Sequence, residues 1–174
     1  MEEFVPFNRK IHKEKYIQLN IEYLTWVKDQ LREKYQLDTV SILKQTIPEY
    51  VDTHLADLTR LKPPAGIIYL LMVDGEVAGM GALRKLSREI GEIKRMYIRP
   101  LYRGKGYGTQ MLKRLLAVGR EFGCSSFRLD TAKFMNTAQH IYRSAGFSER
   151  EEYPESEVPP IFRSHWLFME KKDR

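Results

Sequence analysis

The segment Arg103-Gly104-Lys105-Gly106-Tyr107-Gly108 holds the residues whose types and spacing point most directly to chemistry. Glycines at alternate positions let the backbone take positive φ and come close to a ligand. Successive N–H groups then form an anion nest, and a helix starting there adds its partial positive charge. Arg103 and Lys105 add full charges. The chemistry is phosphate or pyrophosphate binding, with a plain strand-to-helix turn as the alternative. The P-loop pattern G-x-x-x-x-G-K-[ST] does not match, and the dinucleotide pattern G-x-G-x-x-G fails at its third spacing. Cys124 follows Gly123 with no His or Asp beside it, so it reads as structural rather than as a catalytic thiol. One cysteine excludes a disulfide framework and a thiolate zinc cluster, and His12, His54, His140 and His165 lack ligand spacing. No metal is expected.

The elements that must position this loop can be read on either side of it. Tyr16, Leu19, Tyr23, Val27, Leu31 and Tyr35 recur at helical spacing and predict a helix over 13–36. A second helix is predicted over Ile47–Leu61, with Pro48 in its first turn and Lys62-Pro63-Pro64-Ala65-Gly66 as its stop. Ile67–Val73 and Glu76–Leu83 read as strands joined at Asp74-Gly75, a hairpin. A third strand, Glu92–Ile98, ends at Arg99-Pro100. After the loop, Met111, Leu112, Leu115, Leu116, Gly119 and Phe122 mark a helix that Gly123 stops. Then come a strand at Phe127–Thr131, a helix over Asn136–Ala145 closed by Gly146, a strand from Phe147 and a last strand at His165–Glu170. Strands followed by a β-α-β-α-β unit give a mixed α/β layered fold, neither an all-parallel sheet nor a bundle.

The chain has 174 residues, 43% hydrophobic and 30% charged. That fits one soluble domain able to bury its own core. Mean hydropathy is −0.47. No apolar run approaches the ~20 residues of a membrane helix, and the start MEEFVPFNRK is not a secretory leader. A cytoplasmic location is expected. The net charge of +6 permits an anionic partner, nucleic acid or a phosphorylated small molecule, without requiring one. Nucleic acid is disfavoured, because the aromatics sit at core spacing and no recognised binding signature occurs.

From Glu92 to Gly108 the chain reads EIKRMYIRPLYRGKGYG. This resembles the acyl-CoA-binding signature of the GNAT superfamily of N-acyltransferases, [RQ]-x-x-G-x-[GA], with Arg103, Gly106 and Gly108 in the fixed places. Asn136, Ala138, Tyr142, Gly146 and Phe147 resemble its second half. The resemblance spans about 67–171. It implies an α/β (α+β) fold: a mixed, mostly antiparallel sheet of six or seven strands, splayed at the centre, with helices on both faces. It also implies a single N-acetyltransferase domain over 1–174, with 1–65 a variable N-terminal helical part and 67–171 the acyl-CoA-binding core. A small strand near Phe4–Phe7 would fit that start. The splay falls between the Glu92–Ile98 and Phe127–Thr131 strands, with a bulge near Met96–Tyr97. By the same analogy Met96, Tyr97 and Ile98 contact pantetheine. Arg103, Gly104, Lys105, Gly106, Tyr107, Gly108 and Thr109 hold the pyrophosphate, and Asn136 contacts CoA. The cosubstrate is acetyl-CoA, the acceptor a small or peptide amine, and the attack direct, through a tetrahedral intermediate. Paired subunits are common in the family, so a homodimer stays open.

Such a transfer needs a neutral amine, held against the thioester, and a proton for the departing thiolate. The resemblance implies Glu92 as proton acceptor, directly or through a water, with pairing to Lys94 or Arg95 as the alternative. It implies Tyr142 as proton donor, with a place in the core as the alternative. Asn136 also reads as an N-cap, with Gln139 three residues on. Two other functions stay open: a GNAT-fold protein that binds CoA without catalysis, and a basic nucleic-acid-binding module. Glu149, Glu151, Glu152, Glu155 and Glu157 crowd a proline-rich stretch before Trp166. They predict a negative field that gathers cationic amines, or else only a solubilising hairpin tip.

Overall fold

The computed structural model describes residues 1–173, the side chain of Leu58 excepted. One seven-stranded sheet runs in the order β1-β2-β3-β4-β5-β7-β6. Its strands are β1 (Glu2–Pro6), β2 (Gly66–Val73), β3 (Glu76–Lys85), β4 (Ile90–Ile98), β5 (Ser126–Ala132), β6 (Ser148–Arg150) and β7 (Trp166–Lys172). The helices are α1 (Arg9–Tyr35), α2 (Thr39–Leu43), α3 (Ile47–Thr59), α4 (Tyr107–Glu121) and α5 (Asn136–Ser144). Every neighbouring pair of strands is antiparallel except β4 and β5.

The alternation along β2 splits the core into two layers. Ile67, Tyr69 and Leu71 face α4 and its Met111, Leu112 and Leu115. Ile68 and Leu70 face α1 and its Tyr16 and Leu19. Each fully buried side chain of this size contributes about 1.5–3 kcal/mol. A third cluster, Tyr153, Val158, Phe162 and Phe168, packs the 151–165 segment beside α1 and α2.

Local chemistry explains where elements start and stop. The Asp74-Gly75 turn has φ of 50° and 83°, the twist a two-residue hairpin needs. Gly123 and Gly146 end α4 and α5 at φ of 87° and 92°. α1 begins earlier than periodicity suggests, because the Asn8 side chain accepts from the Lys10 N–H at 2.9 Å. α3 starts as expected, and a Thr46/Glu49 capping box secures it. The short α2 was not anticipated; Asp38 caps it by accepting from Val40 and Ser41. Among the described residues, no helix is long and apolar enough to cross a membrane.

Candidate active site

The sheet opens at its centre. β4 and β5 pair only at Ile90↔Ser126, Gly91↔Phe127 and Glu92↔Arg128, and beyond Glu92 they diverge. The bulge expected near Met96–Tyr97 lies one residue earlier. Met80 faces Tyr97 and Ala82 faces Lys94, so Arg95 and Met96 share the place opposite Gly81. Arg95 takes the extra turn at φ 52°, a left-handed conformation uncommon for a side chain of its size. The kink steers β4 away from β5 and leaves room between them.

A cavity of about 480 Å³ fills the split. Met96, Tyr97 and Ile98 line one side; Asn136, Ala138, Ile141 and Tyr142 of α5 line the other. Arg103, Gly104, Gly106, Tyr107, Gly108 and Thr109 form its mouth. Lys105 is not on the lining; its ammonium lies 5.9 Å from the Tyr102 ring. Gly104 and Gly106 have φ of 77° and 80°, and a Cβ on either would meet nothing within 4 Å. Their openness is therefore not demanded by packing within the chain. The first bond of α4 runs from the Gln110 N–H to the Gly106 carbonyl at 3.1 Å. The N–H groups of Tyr107, Gly108 and Thr109, just ahead of it, are left for an anion at the helix head. The Arg103 guanidinium donates to the Ile98 carbonyl at 2.8 Å and lies 5.4 Å from the Trp26 ring centre. These residues fit a pyrophosphate followed by an extended polar arm, as acyl-CoA has.

α1 closes the other end. Tyr23 and Trp26 line the cavity, and Trp26 meets Phe134 edge-on at 5.6 Å, bridging the split. Sequence periodicity had placed Tyr23 in the helix core without marking it as a cavity wall; no local motif flags Trp26 or Phe134.

Tyr142 is buried with its ring against Phe147, and its hydroxyl has no hydrogen-bond partner among the described residues. Burial, with Tyr23 and Asp130 adding to it, pushes its pKa well above the ordinary phenol range. Asn136 reaches the cavity but is not the N-cap of α5. Met135 occupies that position without a side-chain bond, and Gln139 turns back to the carbonyls of Ala132 and Lys133 at 3.0 and 3.1 Å.

Glu92 sits at the point where pairing ends, only 1% exposed. Its Oε2 accepts from Arg84 Nε and Nη2 at 3.0 and 2.7 Å, and its Oε1 from the Tyr153 hydroxyl at 2.9 Å. Lys94 stands 3.6 Å away; Arg95, the other partner considered, turns to Asn20 instead. Glu92 is not on the cavity lining.

The acidic segment is largely neutralised by the chain itself. Glu157 pairs with Arg84 at 2.5 Å and with Lys94; Glu155 pairs with Arg128 at 3.7 Å. Glu152 pairs with Arg163 at 3.2 Å and Glu149 with Arg143 at 2.6 Å. Four of the five glutamates are thus paired within the chain, which weakens the expected negative field; Glu151 has no ion pair among the described residues.

A carboxylate that sequence reading passed over, Asp130, is also off the cavity lining but acts electrostatically on Tyr23 and Tyr142, which are on it. Asp130 of β5 accepts only from the Ser156 hydroxyl, at 3.3 Å, and has no salt bridge among the described residues. Burial and the neighbouring Glu92 push its pKa up to about 6. The signal that could have found it is the alternation Arg128, Asp130 opposite Phe127, Leu129 in a central strand, which puts charge on a face that water does not freely reach.

Comparison with known proteins shows the family and the fold. The model of the acetyltransferase (GNAT) family matches residues 24–147. The chain belongs to the GNAT family of acetyltransferases. An "IAA acetyltransferase" of Azospirillum brasilense is 30% identical over 148 residues, 80% of this chain and 94% of that protein. Among solved structures, a GNAT acetyltransferase from Staphylococcus aureus superposes with a TM-score of 0.73 at 16% identity, covering 100% of both chains. The PaiA N-acetyltransferase of Thermoplasma acidophilum, solved with coenzyme A, gives 0.70 at 16% identity and 99% of both. These structures support the fold: a mostly antiparallel, seven-stranded sheet, open at the centre, with helices on both faces.

Proposed function

We propose that this protein transfers the acetyl group of acetyl-CoA to a primary amine, by direct attack of the amine nitrogen on the thioester carbonyl. One observation carries the reading: the glycine cradle at the head of α4 opens into a split sheet whose far side holds Tyr142. Gly104, Gly106 and the N–H groups of Tyr107, Gly108 and Thr109 would hold the pyrophosphate. Arg103 would add charge beside them and Lys105 at the rim. The freed backbone of Met96, Tyr97 and Ile98 would take the pantetheine arm, with Asn136 opposite. Acetyl-CoA supplies the activated acyl carbon; the chain supplies placement, worth about 7–11 kcal/mol where two reactants are held in line.

Tyr142 acts as hydrogen donor to the departing sulfur. Its raised pKa keeps the phenol neutral across the working range, so it donates at every pH where the amine can attack. Glu92 acts at one remove. Both its oxygens are engaged, so it fits proton acceptance through a water, or through the adjacent Asp130, better than direct contact with the amine.

The test is a panel of small, polyamine and peptide amines incubated with acetyl-CoA and read by thiol release, with mass spectrometry of the product. Acetyl-CoA-dependent acetylation of at least one amine is expected. Binding of acetyl-CoA with no thiol release from any amine would leave a CoA-binding protein without catalysis.

A further inference from the structure

On the acetyltransferase reading, the glycine cradle and the backbone of Met96, Tyr97 and Ile98 go to acyl-CoA. Much of the remaining cavity lining is ring surface: Tyr23 and Trp26 of α1, Phe134 of the turn after β5, and the ring of Tyr97. These rings form one wall. Trp26 meets Phe134 edge-on at 5.6 Å, with 79° between their planes. Tyr23 lies 5.5 Å from Tyr97 and 6.5 Å from Trp26, centre to centre. Trp26 and Phe134 are half-buried, so two large apolar rings keep surface free beside the cavity.

Charge is almost absent from the same surface. Among the described residues, Arg103 is the only charged side chain on the lining. Its guanidinium lies over the ring wall itself, 5.4 Å from the Trp26 centre and 5.7 Å from that of Tyr97. The carboxylates of Glu22, Glu92 and Asp130 are all off the lining. Glu22 is held by Arg99 at 2.7 Å, and Glu92 by Arg84 and Tyr153. A polyamine or a lysine-rich peptide would therefore meet a cation on this wall and no anion. Burying an unmatched ammonium there is costly.

We propose, on the strength of the acetyltransferase reading, that the acceptor is a primary amine carried on a flat aromatic ring, with no second charge. Its ring packs among Tyr23, Trp26 and Phe134, in the edge-to-face and offset contacts that aromatic pairs favour. Its nitrogen points to the thioester beside Tyr142. Sites for small molecules are mostly apolar, with a few polar groups that set orientation. The amine enters in its neutral form, because no carboxylate on the lining holds an ammonium. Its nitrogen–carbon bond forms as the carbon–sulfur bond breaks. The proton on nitrogen leaves to water, the sulfur takes one from Tyr142, and Tyr142 recovers its own from solvent.

The experiment compares phenethylamine, its ring-saturated analogue, spermidine and a lysine-bearing peptide as acceptors for the wild type, Trp26→Leu and Phe134→Leu. In the wild type, kcat/KM for phenethylamine should exceed that for the saturated analogue by about 2–10-fold, the range of one aromatic pair. It should exceed that for spermidine and the peptide by about 10-fold or more. Each leucine variant that melts cooperatively should bring the first ratio close to one, chiefly through KM. Calorimetric affinity for acetyl-CoA should stay within a few-fold. The wild-type ratios decide the matter even where a variant fails to fold. Wild-type enzyme that acetylates spermidine or the peptide as well as phenethylamine, or that treats phenethylamine and its saturated analogue alike, overturns the proposal and leaves the acetyltransferase reading standing. An unchanged ratio in the folded variants does the same. Release of thiol from no amine of any kind overturns both.

Discussion

The two ends of the cavity are made of different material. The mouth is backbone: Gly104, Gly106 and the first N–H groups of α4, contiguous in sequence and fixed by one helix start. The inner end is side chains: Tyr23 and Trp26 from α1, Phe134 from the turn after β5 and Tyr142 from α5, brought together only by the sheet. A backbone cradle suits a ligand part that never changes. A ring of side chains from separate elements can be altered one residue at a time, which suits the part of a reaction that differs between relatives.

Substitutions at the two ends should therefore fail differently. The largest effect is expected at the inner end. Tyr142→Phe should lower kcat by about 10²–10⁴-fold, the usual cost of losing an acid–base group, while calorimetric affinity for acetyl-CoA stays within a few-fold. Equal losses in both would return Tyr142 to the core and blur the division between the ends.

Asp130→Asn should sharpen it through stability. Its carboxyl is pushed from 3.8 up to about 6. The folded protein thus keeps a proton that the unfolded chain has lost between those values. Stability from this group is full below pH ~4 and lost as pH rises through about 6. Above pH 7 the wild type carries a buried charge that Asn lacks, so the variant should be more stable by about 1–3 kcal/mol, or several degrees in Tm. At pH 4 the difference should shrink. Activity runs the other way: wild-type kcat/KM should fall as pH drops through the carboxyl's titration. A variant less stable at pH 8 would mean that Asp130 is structural.

The smallest effect belongs to a control far from both ends. Thr46→Ala removes the capping box of α3 and should cost about 1 kcal/mol by thermal melting, with turnover unchanged. A drop in turnover would tie α3 to the acceptor end.

The same contrast governs what was legible in sequence. The cradle, the hairpin at Asp74-Gly75 and the stops at Gly123 and Gly146 rest on local conformational demands, so glycines and short spacings reveal them. The inner end depends on pairing between distant strands. Arg95 looks like any strand residue until the register with Gly81 exposes the bulge. Asp130 looks like a surface residue of an alternating strand until α1 and the 151–159 segment cover it. The glutamates from Glu149 to Glu157 mislead for the same reason, since the arginine partners of four of them lie on β3, β5 and α5 and in the segment before β7. Asn136 misleads on a smaller scale: the capping pattern is present, but the turn after β5 assigns the cap to Met135 and sends Gln139 elsewhere.

The central claim is that a backbone cradle at the head of α4 receives the acyl-CoA. The most direct test is isothermal titration of acetyl-CoA into the wild type and Gly106→Val. A Cβ at Gly106 meets nothing within 4 Å, so the main cost to the fold is that of a positive φ, about 1–2 kcal/mol, while the space for the pyrophosphate is filled. The account predicts tight binding by the wild type and loss of about 100-fold or more in a variant that still melts cooperatively. Equal affinity in the two proteins would contradict it.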